Sequence, residues 1–75
     1  MEIILVNEEE LVGQLNTIGK WKFEFYEVKK TLGRKGENFS LVIHNIPLKN
    51  AKVKAYKQAR DKDIKKAKVK ISKIS

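Results

Sequence analysis

The chain has 75 residues, a formal net charge of +8 and no cysteine. That length supports one small domain, 1–75, near the limit at which burial exceeds the entropy cost of folding. The missing thiols exclude a disulfide framework and a thiolate metal centre, and the single His44 cannot build a zinc site by itself.

The opening "MEIILVNEEE" holds four consecutive apolar residues before acid, too few for a signal peptide or a membrane span. A cytoplasmic protein without cofactor or metal is expected. Residues 2–6, "EIILV", read as a β-strand buried on both faces, hence central in a sheet. Asn7 is placed to cap a helix, with Glu10 at the fourth position of a capping box and three carboxylates at the positive end of the dipole. Leu11, Leu15 and Ile18 then follow at helical spacing, with Val12 beside them, and Gly19 is placed to end the helix.

In "WKFEFYEVKKTL", Trp21, Phe23 and Phe25 alternate with Lys22 and Glu24, the period of a strand. Tyr26, Val28 and Leu32 fall on the other parity, which predicts a bulge near residues 25–26. A domain this small needs its large side chains inside, so Trp21 is expected in the core. "NFSLVIHNI" is the next strand, with Phe39, Leu41 and Ile43 on one face and Ser40, Val42 and His44 on the other, stopped by Pro47. Beyond it, composition favours a helix over about 50–66, capped by Asn50, with Val53, Tyr56, Ile64, Ala67 and Ile71 in its stripe. Alternation in "KAKVKISKI" predicts a short strand over about 67–72.

The resulting order is strand-helix-strand-strand-helix, with a possible final strand. It gives an α+β fold with a small split β-α-β (ferredoxin-like) layout, helices on one face of an antiparallel sheet and the first and third strands central.

Charge is uneven along this order. Residues 1–48 carry six basic and seven acidic groups, and residues 49–75 carry eleven basic groups against Asp61 and Asp63. A near-neutral body with a lysine-rich C-terminal segment, 49–75, points to a polyanionic partner. Fifteen lysines against two arginines favour point-charge contacts to phosphates over bidentate reading of bases.

"GRKGEN" (residues 33–38) has the form G-x-x-G with two basic residues inside. It resembles the loop of a KH domain, which clamps a nucleic-acid backbone. A KH loop joins two helices, whereas the flanking segments here carry the strand period, so a β-hairpin is the expected structure. Lys29, Lys30, Arg34 and Lys35 would then cluster at the tip, with Gly33 and Gly36 supplying positive φ and close access to the amides. The strand order and "EEELVGQL" also resemble an RNA-recognition motif. "KGENFSLV" is similar to that family's second motif at Lys35, Gly36 and Phe39. Ile4 and Glu37 stand where the family's motifs place aromatics, so the resemblance does not imply base stacking on the sheet.

No nucleophile elbow, Walker loop or HExxH pattern is present, and Asp61 and Asp63 lie at i, i+2, which on a helix do not face each other. The expectation is a non-enzymatic nucleic-acid-binding accessory protein, for DNA or RNA, with little sequence specificity. Its candidate contacts are Lys29, Lys30, Arg34, Lys35, Lys52, Lys57, Lys62, Lys65, Lys66 and Lys70. The alternative is a small viral or plasmid-type inhibitor that binds an acidic surface of a partner protein. Membrane association is disfavoured because the C-terminal stripe is poor in large apolar residues.

Overall fold

The computed structural model describes residues 2–28 and 36–74. Within them the chain forms β1 (Glu2–Leu5), a single 3-10 turn (Glu8–Leu11), β2 (Ile18–Glu27), β3 (Asn38–Pro47), α1 (Leu48–Asp61) and β4 (Lys66–Lys73). The four strands make one mixed sheet in the order β1-β4-β2-β3. β2 pairs antiparallel with β3 and with β4, and β1 runs parallel to β4.

This corrects the expected two-helix ferredoxin-like layout. One α-helix covers the sheet, the sheet is mixed rather than antiparallel, and the central strands are β2 and β4. β1 and β3 are the edges. The run "EIIL" is therefore not buried on both faces; Ile3 packs on the core while Ile4 is exposed.

The first helix is lost for an identifiable reason. Asn7 does not cap it: no side-chain cap bond forms. Instead its amide turns across the sheet to β4. Nδ2 donates to the carbonyl of Ile71 at 2.6 Å and to the Glu10 carboxylate at 3.0 Å. The Ile71 N–H donates back to Oδ1 at 3.1 Å. The side chain thus extends β1 by one surrogate residue and satisfies both ladder groups of Ile71. Gly13 then takes φ +79, a left-handed conformation that ends helical winding cheaply only at glycine. Leu15 and Ile18 end up exposed rather than in an apolar stripe. Gly19 is not a helix cap but part of β2.

The segment freed from the helix covers the start of α1. The amides of Leu48 and Lys49 donate to the carbonyls of Thr17 at 3.1 Å and Leu15 at 3.0 Å. These first-turn donors would otherwise be orphans. The helix starts at Leu48, with Pro47 as its cap residue, and not at the predicted Asn50. It ends at Asp61, earlier than the predicted 66. Asp63 adopts φ 60, and its N–H reaches the Arg60 carbonyl at 2.9 Å. Aspartate tolerates this left-handed position because its short polar side chain can bond locally.

Packing sets large against small. β2 turns Trp21, Phe23 and Phe25 fully into the core, and α1 meets that layer with Leu48, Ala51, Ala55 and Ala59. The alanines recur at i, i+4, i+8, so the helix lies close over aromatic rings. Each buried aromatic contributes roughly 1.5–3 kcal/mol of transfer free energy. The predicted stripe through Val53 is wrong: Val53 is 70% exposed. The alternation of β2 runs unbroken through Tyr26, which faces away from the core. The bulge lies instead between Gly19 and Trp21, across from Asn45, which adopts φ 59.

Candidate nucleic-acid interface

The sequence-predicted cations fall in different places. Lys29, Lys30, Arg34 and Lys35 lie outside the described residues, as does Gly33. Their attachment points are described: the chain leaves at Val28 and returns at Gly36. The Val28 N–H is bonded to the Lys66 carbonyl at 2.9 Å. A Cβ on Gly36 would collide with the Glu27 carbonyl. Gly36 is therefore needed for the close approach of the backbone at residues 27 and 36.

Lys62, at the end of α1, is already engaged. Its ammonium stands 4.8 Å from the centroid of Phe39 and 3.8 Å from the Glu37 carboxylate. Phe39 in turn stacks on Phe25 with centroids 4.9 Å apart, so this aromatic is part of the core wall rather than a free base platform. Lys52 is half-buried, with its ammonium 5.8 Å from the Tyr56 ring. Lys65 is exposed in the α1–β4 turn. Lys66 and Lys70 lie on the opposite, uncovered face of the sheet, and Lys66 pairs with Glu2 at 3.8 Å. Of the predicted set, only Lys57 stands on the outer side of α1.

That outer side also carries Lys54 and Arg60, which are not among the predicted contacts. Lys49, Val53, Lys57 and Arg60 follow at i, i+4, i+8, i+11 along one stripe of the helix, with Lys54 beside it, and all are exposed. Asn50 and Gln58 are their neutral exposed neighbours, and Asp61 is the one acid on this side. Neither described ion pair involves Lys49, Lys54, Lys57 or Arg60. The helix spans about 21 Å at 1.5 Å per residue, so the stripe is a row of cations on a rigid element, with Asp61 at its end.

The uncovered sheet face is more mixed. β4 projects Lys66, Lys68 and Lys70 there, spaced about 6.5 Å apart along the strand. Lys68 lies opposite Tyr26, Lys70 opposite Glu24, and Lys22 opposite Ser72 and Val42. The Tyr26 hydroxyl donates to Glu24 at 3.0 Å. That bond, with some desolvation and the Glu24 charge, holds the Tyr26 phenol above its ordinary value. Burial raises the Tyr56 phenol. Four lysines face two glutamates on this side, and one lysine is already paired.

No protein-family model, no curated protein and no solved structure matches this chain.

Among the described residues no group of His, Asp and Glu is arranged to hold a metal ion, and no helix is long and apolar enough to cross a membrane. A cleft of about 180 Å3 opens between the 3-10 turn and α1, lined by Leu5, Leu11, Val12, Leu15 and Leu48 with Glu8 and Lys52 at its sides. It is smaller than the 300 Å3 or so typical of small-molecule sites.

Proposed function

We propose that the protein is a non-enzymatic nucleic-acid-binding protein that grips phosphates with the outer side of α1. The observation that carries the reading is the row Lys49, Lys57 and Arg60 with Lys54 alongside, exposed and engaged in neither described ion pair. An array of fixed cations on a rigid element gains affinity by releasing counterions from a polyanion. Phosphate contacts of this kind position the ligand and carry no base information, so little sequence preference is expected. The lysines of β4 on the opposite face supply a weaker, more compensated field that steers association.

The test is fluorescence anisotropy with labelled single-stranded DNA, duplex DNA and RNA over a salt series. Four phosphate contacts give a slope of log K against log salt of roughly −3 to −4. The triple reversal Lys54→Glu, Lys57→Glu, Arg60→Glu should abolish measurable binding, while Lys68→Glu with Lys70→Glu weakens it only modestly. Absence of binding by the wild type to all three probes at low salt ends this reading. A larger loss in the β4 variant moves the interface to the sheet.

A further inference from the structure

β3 differs from every other element in its chemistry. In a chain that is 35% charged, "NFSLVIHNIP" contains no Asp, Glu, Lys or Arg, yet it forms a ten-residue edge strand. Edge strands are ordinarily protected by lysines, by shortness or by a covering segment, because their free backbone groups recruit another strand. The other edge, β1, is only four residues long and leads into three consecutive glutamates. On β3 the bulge at Asn45 distorts only the far end.

The hydrogen-bond phase of β3 can be worked out. The Glu27 N–H donates to the Glu37 carbonyl at 3.0 Å. Bonded and non-bonded pairs alternate in an antiparallel ladder. Phe39, Leu41 and Ile43, which oppose Phe25, Phe23 and Trp21, therefore aim their backbone groups at β2. Asn38, Ser40 and Val42 aim theirs outward, and no described residue pairs with them.

We infer that β3 pairs antiparallel with β3 of a second copy of this chain, about a two-fold axis through Leu41 normal to the sheet. In that register Leu41 meets the Leu41 of the other copy and Phe39 meets its Ile43, on the side that faces the helices. Ser40 and Val42 exchange both ladder bonds across the axis, and Asn38 meets His44. Every cross-strand pair is neutral or apolar. A second copy is the occupant because β3 complements itself in this register, apolar side chains meeting apolar ones on the helix side; the net charge of +8 opposes association, and β3 is the strand along which two copies meet with no charge set against a like charge. A two-fold axis closes the assembly at two chains, and keeps both helices on one side of a continuous eight-stranded sheet.

The test is light scattering after size exclusion, and sedimentation velocity, on the full chain without nucleic acid, over roughly 10–500 μM. Wild type should approach twice 8.7 kDa. Dimerisation should strengthen as salt rises from about 50 to 300 mM, since screening relieves the repulsion; phosphate binding has the opposite salt dependence. Ser40→Lys with Val42→Lys places like charges opposite each other twice across the axis, and should weaken dimerisation at least about tenfold. Ser40→Lys with Val42→Glu places opposite charges at the same positions and should retain it. Within one chain these side chains face Glu24 and Lys22, so the second variant also suits the fold, and circular dichroism of both checks it. A wild type that stays at one chain mass throughout, species larger than two chains, or dimerisation equal in both variants would each overturn the inference.

Discussion

Replacing Asn7 by alanine removes one buried side chain that serves two backbone groups 64 residues away. In the folded protein Asn7 is 8% exposed and bridges the N–H and C=O of Ile71. Alanine leaves both groups with no partner and little access to water. Each stranded group costs about 1–3 kcal/mol, so the expected loss is about 3 kcal/mol. A domain of this size has roughly 4–11 kcal/mol in total, and the melting temperature should fall by roughly 12–24 °C. Urea unfolding followed by the fluorescence of Trp21, which is fully buried, measures the change, with the urea slope unaltered. Asn7→Asp adds a pH test. Its carboxylate would face the Ile71 carbonyl and the Glu10 carboxylate, so the folded pKa rises above the unfolded value of about 3.9. The penalty is absent below that value and grows as pH climbs through it to the folded pKa. Asn7→Asp should therefore gain on Asn7→Ala as the pH is lowered. A loss under about 1 kcal/mol for alanine, smaller than the cost of even two weakly stranded groups, refutes the bridging role. So does a stability gap between the two variants that ignores pH.

Two further outcomes test the core and the sheet face. Ala55→Leu inserts three carbons where α1 lies over Phe23 and Phe25, and should cost about 1–3 kcal/mol by chemical denaturation; a neutral result would mean the helix stands off the sheet. Glu24→Gln removes the charged acceptor of the Tyr26 hydroxyl, so the phenol should titrate closer to its ordinary value of about 10 by ultraviolet absorbance, with Tyr56 unmoved.

The strands were legible in the sequence because alternation reports directly on a sheet with one buried face. Trp21, Phe23 and Phe25 on β2, and Phe39, Leu41 and Ile43 on β3, lie on the sides their parity assigns. The first helix failed because "NEEELVGQL" satisfies the capping and stripe rules and only Gly13 speaks locally against it, while Asn7 has a better use at Ile71, which no local window contains. The apolar stripe of α1 was misplaced because its core contacts are alanines, the residues a hydrophobicity pattern weights least. Framing the helix over 50–66 instead of 48–61 put Lys62, Lys65, Lys66 and Lys70 on the same surface as Lys57, and the structure takes them off it. Sheet order was not legible: the most apolar strand, "EIIL", is an edge, and lysine-rich β4 is central because Ala67, Val69 and Ile71 suffice on its one buried side.

The position of β4 has a consequence for how the chain matures. β4 is made after every other element, yet it lies between β1 and β2. Until it arrives β1 has no strand to join, Asn7 has no Ile71 to hold, and the 3-10 turn has nothing to anchor it. The β2–β3 hairpin and α1 can assemble beforehand, but as a half-sheet with a bare aromatic strand at its margin. Final closure is then the pairing of β4 along the open edge of β2, with β1 adding to β4 in turn. The slow step of folding, and the interval of greatest exposure to proteases and to sticking, should lie there.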